Sequence, residues 1–178
     1  MWNWFGRAKK EKMMLELLSA AAEGHARAEM TKALTSLGVS RQKYKTDEEF
    51  VSRGSIALLK AIKQLVSINS LPSTESEFWI DGVWLMVLTN YFSFHYEASF
   101  EVTSTSALVF HGGQSRTDEI AEIVASYNQM TDEDSKALRA IGQTCAKWAN
   151  APEHQNLLKL SQLYEIVTES LSENERHS

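Results

Sequence analysis

The chain has 178 residues, 43% hydrophobic and 23% charged, with two prolines, eight glycines and one cysteine, which is one domain with a sizeable core and excludes a disordered or low-complexity chain. One cysteine excludes an intrachain disulfide framework and a thiolate metal cluster, and so few turn residues exclude a β-sandwich or barrel. The formal charge of −5 is split: residues 1–45 carry nine Lys and Arg against four Asp and Glu, residues 46–178 nine against nineteen, which excludes a surface-wide nucleic-acid footprint, so no nucleic acid is expected as a partner.

Residues 1–12, MWNWFGRAKKEK, set Trp2, Trp4 and Phe5 beside Arg7, Lys9, Lys10 and Lys12 and read as a separate aromatic and basic segment. Residues 13–173 read as a helical domain and residues 174–178 as a frayed polar tail. A first helix is predicted from about Arg7 to Leu37. Met14, Leu18, Ala21, His25 and Ala28 recur on it every three or four residues, Leu34 and Leu37 extend the set, and Gly38 stops it. Gly24, costly inside a helix, predicts a close crossing there.

Thr46 followed by Asp47, Glu48 and Glu49 reads as a capping box opening a second helix. Leu58, Ile62, Leu65, Val66 and Ile68 line it, and it ends before Pro72. Thr74 and Glu77 open a third. There Phe78, Trp79, Ile80, Val83, Trp84, Leu85, Met86, Val87, Leu88, Tyr91 and Phe92 make it apolar nearly all round, which places it in the middle of a bundle. Residues 99–110 (SFEVTSTSALVF) are β-branched without a strong helical period. They leave two alternatives: helix or irregular chain, or a short β-hairpin pairing Phe100 and Val102 with Ala107 and Val109.

Beyond Gly112-Gly113, Thr117 is expected to cap a helix lined by Ile120, Ile123, Val124 and Tyr127. Thr131 opens another with Leu138, Ile141, Cys145 and Trp148 in line. Asn150 and Pro152 bracket a last start, after which Leu157, Leu160, Tyr164, Val167 and Leu171 form a packing seam. The expected fold is mainly α, a single-domain bundle of about six helices.

Catalytic signatures are missing. No Gly-x-Ser-x-Gly elbow occurs, and Cys145 lies on an apolar stripe where a thiol packs as a small hydrophobe. The five histidines fall in separate segments without metal-ligand spacing, so no metal or cofactor is expected. One minor candidate ligand or metal site gathers Asp81, His95, Glu97 and His111, with Glu77, around the most aromatic stretch. Arg116 joins it through the Gly112-Gly113 loop as a candidate anion cradle. Asp81, between Trp79 and Trp84, must either reach a solvated edge or pair with a cation.

The aromatic and basic amino end is the sharper signal. Indole rings and cations suit an anionic membrane surface, although the rings also suit the chain's own core or a protein partner. The run Met13 to Ala22 is broken by Glu16 and is no secretory signal. The window Phe78 to Phe94 holds Asp81 and Asn90 and is no membrane span. The expected function is a non-catalytic helical protein acting by macromolecular binding: an adaptor, regulator or inhibitor with a protein partner, in the cytoplasm. The acidic runs 47–49 and 132–134 start helices and also give the body a field that favours a basic partner. The alternatives are a peripheral membrane protein using residues 2–12, and a ligand- or metal-binding bundle, including an enzyme.

Overall fold

A computed structural model describes residues 2–66 and 75–150, less the side chains of residues 2–11, 19–23, 65–66, 75–77 and 149–150. The fold is a mainly α, single-domain bundle. Its helices are α1 (Trp2–Ser36), α2 (Asp47–Val66), α3 (Glu75–Tyr96), α4 (Phe100–Gly112), α5 (Thr117–Asn128) and α6 (Asp132–Asn150), with short 3-10 turns at Arg41–Lys43 and Gln114–Arg116. Among the described residues there is no strand. The Pro72 stop, the Thr74 cap, the seam from Leu157 to Leu171 and the tail lie outside them.

Local punctuation works as the sequence requires. At α2, the Thr46 hydroxyl accepts from the Glu49 N–H (3.2 Å), and Glu49 reaches back to the N–H of Lys45 (3.3 Å). Thr131 and Asp134 form the reciprocal pair at α6, and the hydrogen bonds donated to the Asp134 carboxylate by the Thr131 hydroxyl (2.7 Å) and N–H (3.0 Å) hold it below the usual carboxylate range. Gly38 takes φ +81°, and the Val39 N–H bonds the Leu34 carbonyl (2.9 Å) to close α1. At α5 the cap moves by one residue: Arg116 holds that position without a capping side chain, and Thr117, already helical, bonds back to Gln114.

α3 is the central helix, as its apolar perimeter predicts, and packs on α1, α2, α4, α5 and α6. Trp84, Leu85, Met86, Leu88 and Phe92 are fully enclosed. Glycines bring neighbours against it. A Cβ on Gly82 would stand 2.6 Å from Ile123, and one on Gly142 would collide with the Cβ of Tyr91.

Residues 99–110 are not a hairpin but most of α4. Ser99 caps it, accepting from the Val102 N–H, and the buried set Thr103, Ser104, Ala107 and Leu108 recurs with helical period. Small and hydroxyl side chains make its contact face, as when Ser52 of α2 donates to the Thr103 carbonyl (2.9 Å). Tertiary packing overrides the β-branched composition.

The largest correction falls on α1. The leading part of the stripe predicted to pack there points to solvent: Met14 is 60% exposed, Leu18 62%, and His25 and Ala28 are exposed, while the Ala21 side chain lies outside the described ones. Its extension packs as expected, Leu34 buried and Leu37 partly buried against the core; Met30 and Ala33 are buried beside them, and Arg27 bonds the His95 carbonyl at the end of α3 (2.8 Å). A Cβ on Gly24 would meet nothing within 4 Å, so the close crossing expected there is not found among the described residues.

Candidate functional site

Two places stand out. The first is a polar knot between α2, α3 and α4. Asp81, enclosed by aromatic helix faces, accepts from Lys63 Nζ through both oxygens (2.8 and 2.9 Å) and lies 2.9 Å from His111 Nε2. Only 6% of its side chain is accessible. Burial alone would raise its pKa; the hydrogen bonds from His111 and Lys63 outweigh that and hold the carboxyl below its ordinary value. The cation required by the sequence argument is therefore there, although Lys63 was not legible as the partner. Phe78 stacks on His111, Arg116 lies over the Phe78 ring at 4.7 Å, and Gly112 makes room for that ring.

The five-residue candidate does not assemble. Asp81 and His111 meet, and Arg116 joins through Phe78, with its guanidinium bound to Glu119 (3.0 Å). His95 and Glu97 follow Asp81 by 14 and 16 positions, about 20 Å further along the helix axis. There Glu97 is exposed, in a left-handed conformation (φ 54°), beside Arg27. The Glu77 side chain lies outside the described ones. Among the described residues no three His, Cys, Asp or Glu groups come together as metal ligands. Cys145 is fully buried, and burial pushes its thiol up to about 12, so it packs rather than reacts. The knot joins three helices, α2 through Lys63, α3 through Asp81 and α4 through His111.

The second place is the amino-terminal half of α1. Met13, Met14, Leu15, Leu17 and Leu18 are 55–67% exposed. At 100° per residue, Met30, Ala33, Leu34 and Leu37 share an arc of about 100° that meets the core, whereas Met13 to Leu18 fill an arc of about 200° centred roughly 150° away. In line with the core face stand Lys12 and Glu16 instead, an exposed pair 4.0 Å apart. One continuous helix therefore carries two apolar faces centred on largely opposite sides, and among the described residues only the one with Met30, Ala33 and Leu34 is buried against the body. On the outward side the helix continues into an open groove of about 740 Å³ lined by Gly24, Arg27, Ala28, Thr31 and Thr35 among others.

Elsewhere Val102 and Met130 are also exposed, at 52% and 40%, whereas two exposed rings carry cations. Phe94 lies under Arg139 (4.8 Å) and Phe110 under Arg53 (3.6 Å). No such cover meets Met13 to Leu18 among the described residues. Of the predicted binding segment, Lys12 is exposed; the side chains of Trp2, Trp4, Phe5, Arg7, Lys9 and Lys10 lie outside the described ones, although their backbone belongs to α1. Sequence reasoning had the right apolar residues at 14 and 18 but gave them to the wrong side of the helix.

The chain matches no protein-family model, no curated protein and no solved structure. No described helix is long and apolar enough to cross a membrane.

Proposed function

We propose that this chain is a non-catalytic helical binding protein that engages a macromolecular target through the outward face of α1, with α2 to α6 as the scaffold that presents it. The observation that carries this reading is the run Met13 to Leu18, more than half exposed at every apolar position and turned away from the body. A contiguous apolar patch on an otherwise polar helix marks an interaction site. The helix bundle holds α1 through Arg27, Met30 and Leu34, and the described side chains of residues 12–18 are all exposed. A single cysteine, buried and kept as a thiol, fits work in the reducing cytoplasm.

Methionine oxidation by dilute peroxide, read by mass spectrometry, tests this reading. Met13 and Met14 should oxidise at least as fast as Met130, which is 40% exposed, while Met30 and Met86, fully enclosed, are spared. Target binding should then protect Met13 and Met14 and leave Met130 unchanged. Slow oxidation of Met13 and Met14 in the free protein, matching Met30, would mean that the chain covers its own face and would remove the proposal.

A further inference from the structure

We infer that the target of the outward α1 face is an anionic phospholipid surface, on which the leading half of α1 lies in the plane of the headgroups; this rests on the binding reading above and names its partner. Three observations carry it. The exposed arc from Met13 to Leu18 spans about 200°, wider than the two or three positions in seven that one partner helix covers, and a fluid acyl boundary can fill it all. Directly before it in the same helix come Arg7, Lys9, Lys10 and Lys12 against Glu11 alone, with Trp2, Trp4 and Phe5 one turn further on, the residue types that settle at a lipid interface. Finally, the charge is graded along the molecule. Residues 46–178 carry nine cations against nineteen acids, so an anionic surface attracts the leading segment and repels the body, and approach is oriented α1 first.

Met13, Met14, Leu15, Leu17 and Leu18 then sink below the headgroups, while Lys12 and Glu16, on the opposite arc, stay in water. The helix lies on the bilayer rather than through it. Arg7, Lys9, Lys10, Glu11, Lys12 and Glu16 interrupt its apolar residues.

Co-sedimentation of the full chain with large vesicles decides the matter, using phosphatidylcholine alone and phosphatidylcholine containing phosphatidylserine. The chain should bind the mixed vesicles about tenfold or more better than the neutral ones, and added salt should weaken that binding. L17Q/L18Q, at two exposed positions, should weaken it about tenfold or more with unchanged circular dichroism. K9E/K10E/K12E should erase the preference for phosphatidylserine. A folded wild-type chain that stays in the supernatant with both vesicles overturns the inference. If Met13 and Met14 still oxidise rapidly in that chain, the binding reading survives without lipid; if they oxidise as slowly as Met30, both fall together. A concentration-dependent dimer that L17Q/L18Q dissolves also overturns it, since the occupant is then a second copy.

Discussion

The two halves of α1 are one unbroken helix held by different forces. From Arg27 to Ser36 the helix is fixed by tertiary contacts: Leu34 and Met30 are enclosed, Arg27 bonds the end of α3, and Thr31 shares a hydrogen bond with Tyr96. From Lys12 to Leu18 every described side chain is exposed, and the described support is local, from good helix formers and one weak solvated ion pair. The contrast teaches that an apolar residue on a helix marks a contact but does not say with what. Helix formation and burial are separable, as the exposed side chains of residues 12–18 and the enclosed Met30 and Leu34 show on one helix.

The sharpest way to break this comparison is truncation on each half. Leu34→Ala should cost about 3–5 kcal/mol in urea unfolding, because its methyls fill the space over Gly54, where a Cβ would stand 2.5 Å from Leu34 Cδ1, and helix packing leaves little room to collapse into the cavity. Leu18→Ala should change stability by no more than about 0.5 kcal/mol. Equal costs would mean that the leading half is packed after all.

What the sequence made legible follows the same division between local and distant causes. The capping pairs at Thr46 and Thr131, the Gly38 stop and the all-round apolar α3 could be read because each depends on residues within a few positions. The outward turn of α1 could not, since Met14, Leu18, Ala21, His25 and Ala28 have a good helical period and nothing local says which arc meets the body. α4 was ambiguous because Thr103, Ser104 and Ala107, its real contact face, are small or polar and carry no hydropathy signal. The need for a cation at Asp81 followed from its aromatic setting; that Lys63 and His111 supply the two contacts depends on how α2 and α4 cross α3.

Next in size is the polar knot, the body's counterpart to the solvated Lys12–Glu16 pair. Asp81→Asn should cost about 2–3 kcal/mol at neutral pH, the range for hydrogen bonds to charged groups, whereas Glu16→Gln should be close to neutral. The pH dependence has a definite sign. The folded-state pKa of Asp81 lies below its unfolded value, so the stabilisation is fully present above about pH 4 and is lost as pH falls from there through the folded value. The stability gap between wild type and Asp81→Asn should therefore close as pH falls below about 4. A gap that stayed fully open in strong acid would contradict a charged Asp81.

The finest discrimination comes from making one chemical change in both regions. Alanine stabilises a helix over glycine by up to about 1 kcal/mol where it fits. At Gly142, on α6 in the body, the added methyl would meet the Cβ of Tyr91, a backbone-anchored atom that cannot swing aside. Overpacking of about 1–3 kcal/mol then outweighs the propensity gain, so Gly142→Ala should lower stability by roughly 1 kcal/mol or more. At Gly24 no described atom lies within 4 Å, and the same methyl should raise helix content and slow amide exchange in residues 12–24 by up to about fivefold, the exchange equivalent of that propensity difference. Opposite signs at the two glycines are what a packed body and an offered helix require. A loss at Gly24 would locate a hidden close contact on α1, and with it a cover for the face above it.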